Sequence, residues 1–110
     1  MTDLLKKKCA PCAPGSKPMD EAQVRAMLAD VAGWELVGKK IVKTFEFKNF
    51  YHTMGFVNAV AWIANREDHH PDLEVGYRQC RVRYSTHAIG GLSENDFICA
   101  AKIERSLLGA

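Results

Sequence analysis

Apolar residues recur along this chain with two different periods. Val24, Met27, Leu28 and Val31 return at helical spacing. Asp20 stands before them as a cap, Gln23 three residues on as its box partner, and Met19 with Val24 makes a hydrophobic staple. Gly33 is the expected stop. Trp34–Val37 predicts a short strand, and Gly38-Lys39 predicts a turn. Ile41 to Phe47 predicts a second strand, with Ile41, Phe45 and Phe47 on one face and Val42, Thr44 and Glu46 on the other. From Asn49 to about Asp68 the helical spacing returns. Phe50, Met54, Val57, Ala61 and Ala64 share a face that Phe56, Val60 and Ile63 widen. Pro71 stops this helix by pushing the residue before it out of the helical region. Leu73, Val75 and Tyr77 then alternate with polar or small residues, and Cys80, Val82 and Tyr84 alternate with Arg81 and Arg83. These are two half-buried strands, one face wet. Gly90-Gly91 predicts a loop. Ser93 and Asp96 form a capping-box pattern ahead of a last helix that turns Phe97, Ala100, Ala101, Ile103 and Leu107 inward. The order αββαββα predicts an α+β domain: a four-stranded antiparallel sheet with helices packed on one face.

The first eighteen residues break this patterning. Lys6-Lys7-Lys8 is followed by Cys9-Ala10-Pro11-Cys12 and then by Pro14-Gly15-Ser16-Lys17-Pro18. Clustered prolines oppose helix and strand, so residues 1–18 are expected to be a flexible tail before one domain over 19–110. At 110 residues and 12.3 kDa, the chain has the size of one domain. Its 47 % hydrophobic and 25 % charged residues suit a globular core. A net charge of +2 is too small to argue for nucleic acid or a membrane surface. Three lysines in the tail would make few phosphate contacts. No apolar run is long enough to span a bilayer, and the charges of the N-terminus follow its short apolar pair, the wrong order for a secretory signal. A cytoplasmic location and free thiols at Cys9, Cys12, Cys80 and Cys99 are therefore expected. Cys80 and Cys99 fall on inward positions. Cys9-x-x-Cys12 has the spacing of half a zinc site or a redox pair, without a second pair.

The stretch with the most chemistry is Glu67-Asp68-His69-His70-Pro71-Asp72. It places two histidines at the end of the long helix, where the helix dipole favours the protonated form of His69. His87 follows a predicted strand in Tyr84-Ser85-Thr86-His87, and the intervening hairpin can bring it back to the pair. Imidazole is the side chain that gives and takes protons near neutral pH. A helix C-cap with surface histidines is the competing reading. A zinc site is disfavoured: no H-x-x-x-H or H-E-x-x-H spacing exists, and adjacent helical residues point about 100° apart. His52 is expected at the surface, and Arg81 and Arg83 on the wet face of their strand.

Taken together, Asp68-His69-His70-Pro71, Tyr77, Ser85-Thr86-His87, Gly91-Leu92-Ser93 and Asp96 resemble the pterin-4a-carbinolamine dehydratases. Gly33-Trp34 and Phe45-Glu46-Phe47-Lys48-Asn49-Phe50 extend the resemblance, which covers about Asp20 to Glu104. It implies a hydro-lyase, a 4a-hydroxytetrahydrobiopterin dehydratase. Such an enzyme removes water from a 4a-hydroxytetrahydropterin to give the quinonoid dihydropterin, in tetrahydrobiopterin recycling, with neither metal nor organic cofactor. It also implies His69, His70 and His87 as catalytic residues, with His69 and His87 the acid–base pair and His70 touching substrate. Which of the pair gives the proton stays open. Asp68, Ser85, Trp34 and Asp96 are the substrate-binding candidates. Asp68 and Ser85 would meet the polar edge of the pterin, and Trp34 would stack on it unless it is a core residue. Asp96 would orient His87 or cap the last helix. One position departs from the family: many members carry Glu four residues before the first histidine, where this chain has Asn65, and Asp68 or Glu67 is the substitute carboxylate to expect. A homodimer or homotetramer and a link to an aromatic amino acid hydroxylase are further implications. The alternative is a protein-interaction module that stabilises partner dimers, as a transcriptional coactivator does. That reading needs an apolar helical surface rather than converging histidines.

Overall fold

The structure, a computed structural model, describes residues 4–108. Its helices are α1 (Glu21–Leu28), α2 (Phe50–Glu67) and α3 (Glu94–Leu108), and its strands are β1 (Glu35–Val37), β2 (Lys40–Glu46), β3 (Asp72–Val75) and β4 (Gln79–Tyr84). All pairings are antiparallel and the strand order is β1-β2-β4-β3. The α+β architecture thus has the expected element order. Among the described residues no helix is long and apolar enough to cross a membrane.

The strand registers explain which residues form the core. Ile41 faces Tyr84, Lys43 faces Val82 and Phe45 faces Cys80. Leu73 and Val75 face Val82 and Cys80 from the other side. Ile41, Phe45, Cys80, Val82 and Tyr84 are all buried, together with Phe56, Val60 and Ile63 of α2 and Phe97, Ala100 and Ile103 of α3. Side chains alternate across a strand, so one sheet face carries this apolar set under the helices. Thr44, Glu46 and Gln79 on the opposite face are exposed. Val42 also lies on that face but is buried, flanked by Glu35 and Arg83 in the neighbouring strands.

Helix ends follow the capping signals. Asp20 and Gln23 make the reciprocal box: the Gln23 amide donates to Asp20 Oδ1 and the Asp20 amide to Gln23 Oε1. Asn49 caps α2 through the His52 amide, and exposed His52 sets its ring Nδ1 2.7 Å from the same Asn49 oxygen. α1 stops at Leu28, short of the expected stop at Gly33. The amides of Asp30 and Val31 bond three residues back, to Met27 and Leu28, which tightens the chain into turns. Val31 still reaches the core. Gly33 then takes φ +85°, and a β-carbon there would lie 2.9 Å from the Lys43 ammonium. Glycine avoids both the strain of that conformation and the collision.

The leader is docked, contrary to the expected flexible tail. Leu4–Lys6 forms a 3-10 turn whose Leu4 is only 2 % exposed and joins the core. Lys7 pairs with Glu94 at 2.7 Å. The Ala10 amide donates to Asn95 Oδ1, and Asn95 Nδ2 donates back to the Ala10 carbonyl. The Cys9 amide donates to Glu67 Oε1. Prolines exclude regular structure but not contact, and a single amide side chain on α3 satisfies both polar groups of Ala10.

Candidate active site

The three histidines of interest come from two chain segments that the sheet and α2 bring together. α2 ends with Asp68 in the left-handed region, φ 51° and ψ 44°. This turns the chain sharply, and the His69 amide still donates to the Ala64 carbonyl. Asp tolerates this conformation better than most residues. His87 opens a 3-10 turn after β4, closed by Gly90 at φ 66° and by the Thr86–Gly91 bridge. The result is a cleft of about 410 Å³ lined by Asp68, His69, His70, Ser85, Thr86, His87 and Ala88. Cys9 to Cys12, Glu67 and Asn95 complete the wall. That volume lies in the range of small-molecule sites.

The histidines are held unequally. His69 is half-buried, its ring stacked on Tyr84 at 5.3 Å between centroids. Its Nε2 lies 2.6 Å from Asp96 Oδ1. Asp96 is 0 % exposed, and its other oxygen accepts from the Thr86 hydroxyl at 2.9 Å and the Ser93 amide at 3.0 Å. Burial alone would lower the pKa of His69. The Asp96 hydrogen bond and charge outweigh it, so the imidazole is raised above its ordinary value. His70 and His87 are exposed. His70 Nε2 is 3.4 Å from Asn65 Oδ1, so Asn65 lies beside the second histidine.

Two of the expected substrate contacts fall elsewhere. Trp34 is 5 % exposed and sits in the core, edge-on to Phe45 and donating through Nε1 to Glu104 at 3.1 Å. Its indole N–H finds a carboxylate on α3 and its rings fill the core, so it lines no part of the cleft. Asp96 is likewise sealed beneath the cleft: its carboxylate meets His69 rather than His87, and it makes half of the expected box by accepting from the Ser93 amide, while the Ser93 hydroxyl accepts from the Asn95 amide. Asp68 and Ser85 do line the cleft.

The sequence did not announce what Thr86 and Glu67 hold. Thr86 fixes the free oxygen of Asp96. Glu67, buried at the end of α2, takes both the Cys9 amide and the Lys102 ammonium, the latter at 2.7 Å. Burial pushes its carboxyl up, but Lys102 and the Cys9 amide outweigh this and hold it below the usual value. Glu67 was legible as a substitute carboxylate, but its pairing with Lys102 of α3 is a tertiary contact that spacing does not encode. Among the described residues, no three His, Cys, Asp or Glu side chains are arranged to share a metal ion.

A family described as pterin 4 alpha carbinolamine dehydratase matches residues 17–106. The chain belongs to this family. A curated dehydratase relative from Nitrosospira multiformis, its name provisional, is 58 % identical over 102 residues, 93 % of this chain and 90 % of that protein. A relative from Dechloromonas aromatica with the same provisional name is 53 % identical over 105 residues, 96 % of this chain and 94 % of that protein. Among solved structures, a transcriptional coactivator/pterin dehydratase from Brucella melitensis superposes with a TM-score of 0.78 at 30 % identity. That alignment covers 81 % of this chain and 97 % of the other. A pterin dehydratase-like protein described as a RuBisCO assembly factor shares the fold at TM-score 0.58 and 22 % identity, over 66 % of this chain and 87 % of that one. The dehydratase match begins at residue 17, so the docked leader with Cys9 and Cys12 lies outside it.

Proposed function

We propose that this protein dehydrates a 4a-hydroxytetrahydropterin to the quinonoid dihydropterin by histidine acid–base catalysis. The observation that carries the reading is the convergence of His69, His70 and His87 on one cleft, with His69 tied to a buried carboxylate. The reaction breaks the C4a–O bond as the hydroxyl is protonated and leaves as water. The N5 proton passes to a base while the C4a–N5 double bond forms. In this reading His69, kept protonated by Asp96, is the donor. Its Nε2 is engaged by Asp96, so Nδ1 is the ring atom left to serve the cleft. His87, exposed and lining the same cleft, takes the N5 proton, and His70 touches the substrate beside Asp68 and Ser85. No electrons change hands, and each positioned acid or base contributes on the order of 10²–10⁴-fold. The physiological setting in this reading is tetrahydrobiopterin recycling beside an aromatic amino acid hydroxylase.

The test is the breakdown rate of chemically generated carbinolamine, with and without the protein. The rate is expected to rise with protein and to survive a chelator. His69→Ala and His87→Ala should each cut turnover at least about tenfold with native circular dichroism. Full activity in either variant removes that residue from the mechanism, and loss on chelation brings metal back.

Association with further chains is the second part of the proposal. Tyr51 is 82 % exposed, and Phe50, Trp62 and Tyr77 are also exposed. Phe50 stacks on Tyr77, and exposed aromatic surface of this kind on α2 and beside it is what association between chains would cover. It supports a homodimer or homotetramer, and it is also the surface that a coactivator-like role would use.

A further inference from the structure

Cys9 and Cys99 take no part in the dehydration proposed above, yet they are placed against each other. They lie 90 residues apart in sequence, and their sulfurs are 3.6 Å apart. A disulfide needs about 2.05 Å, a closure of about 1.5 Å. Cys9 sits on a leader segment without helix or strand, which accommodates such a movement. The two thiols differ in access. Cys9 is half-buried and lines the histidine cleft. Cys99 is wholly buried in α3, one turn beyond Asp96, with its sulfur 4.0 Å from the His69 carbonyl oxygen. An oxidant entering the cleft therefore meets Cys9 first, and Cys99 stands directly behind it.

The geometry points to a hydroperoxide-reactive thiol pair in which Cys9 takes the oxidant and Cys99 resolves it, forming a disulfide that fastens the leader to α3 beside the histidines. In the first step the Cys9 sulfur attacks one peroxide oxygen. The O–O bond breaks, leaving Cys9 as a sulfenic acid and releasing an alcohol, or water when the oxidant is hydrogen peroxide. In the second step the Cys99 sulfur attacks the Cys9 sulfur. The S–O bond breaks, the hydroxyl leaves as water with the Cys99 proton, and the S–S bond forms. Each sulfur gives one electron and the peroxide bond takes two.

The surroundings set where the proton between the two sulfurs rests. The Cys9 hydrogen bond lowers the Cys99 thiol; burial opposes it, and Tyr84 and His69 add to the lowering. The same hydrogen bond and burial push Cys9 up. The pair therefore titrates as a unit, and its first proton leaves more easily than from a lone buried thiol. These directions rest the thiolate on Cys99 and the proton on Cys9, so Cys9 reacts after its proton crosses to Cys99, and access from the cleft, not acidity, selects it as the first thiol to meet the oxidant. Cys12 is the rival partner for Cys9, but its sulfur is turned to Asn95 Nδ2, 3.7 Å away. This inference stands on thiol geometry and is independent of the dehydratase reading.

The experiment exposes the reduced full-length chain to hydrogen peroxide, blocks remaining thiols with iodoacetamide and digests with trypsin without reduction. The expected product joins the peptide Cys9–Arg25 to Tyr84–Lys102 through one disulfide, with Cys12 and Cys80 alkylated. Cys12→Ser gives the same link. Cys9→Ser, which changes only the leader, slows oxidation of Cys99 about tenfold or more, because the buried thiol loses its exposed relay. A disulfide closed within Cys9–Arg25, over-oxidation of Cys9 without a link, thiols that stay reduced, or Cys99 oxidised as fast in Cys9→Ser would each overturn the proposal.

Discussion

Replacing Asp96 by Asn removes one negative charge from a sealed site while keeping the side-chain shape. The carboxylate now accepts from His69, Thr86 and Ser93 at 2.6, 2.9 and 3.0 Å. Asparagine keeps one oxygen, which serves Thr86 and Ser93, and turns its NH2 towards His69. An imidazolium has no lone pair to receive that group, so the ring must become neutral at Nε2 to pair at all. A charge-assisted hydrogen bond contributes about 1.5–3 kcal/mol. Its loss should lower the Tm of a domain this size by on the order of 10 °C. The functional loss is separable. A general acid is worth on the order of 10²–10⁴-fold, so a ring held neutral should cost at least about tenfold in kcat near pH 7.5. The rate–pH profile should recover activity towards lower pH as the ring is forced to protonate. Stopped-flow carbinolamine breakdown from pH 5.5 to 8.5, with calorimetry on the same samples, reads both effects. A variant that melts lower but keeps the wild-type profile and kcat would show that Asp96 is only a helix cap and leaves the protonation of His69 alone.

Two further outcomes follow from the same geometry. Because the folded-state pKa of His69 is raised, its stabilising contribution is complete below its unfolded value of about 6.5 and is lost as pH rises through the folded value. The Tm gap between wild type and Asp96→Asn should therefore narrow with rising pH, and a gap that widens or stays level from pH 6 to 9 would break the linkage. On the apolar surface of α2, Trp62→Glu places a charge where an apolar partner is expected. It should shift sedimentation towards smaller species at micromolar concentration, and an unchanged distribution would clear that face of any role in association.

The periodicity of the chain carried most of the fold because burial in β2, β4 and α3 agrees with the local pattern; in α2 the buried stripe is Phe56, Val60 and Ile63, whereas Phe50 and Ala61 of the expected face are exposed. Asp20 with Gln23, and Cys80-Val82-Tyr84 against Arg81-Arg83, needed no tertiary information. The site was only partly legible, for a reason visible in Asp96. Its spacing from Ser93 announces one hydrogen bond, which is local. Its bond to His69 depends on how α2 packs on α3, which spacing does not encode. Trp34 misled for the same reason: its N–H is satisfied by Glu104, 70 residues away, and nothing nearby in sequence announces that partner. The leader misled differently. Proline content reports on secondary structure, whereas docking depends on Leu4 and on the side-chain amide of Asn95.

The unequal treatment of the three imidazoles is itself informative. A proton donor must hold its proton before the substrate arrives, which requires a fixed counter-charge shielded from water. Asp96 supplies that for His69, since a buried carboxylate interacts far more strongly than one in solvent. An acceptor must be neutral between turnovers and give its proton back to water, which favours exposure. In the proposed reaction His87, exposed at the start of its short 3-10 turn, is that acceptor. Asn65 fits the same division, because a neutral amide beside His70 adds no charge to the open side of the cleft. In the proposed dehydration the tethered histidine faces the leaving oxygen and an exposed one takes the proton from nitrogen, so water leaves with no change of redox state.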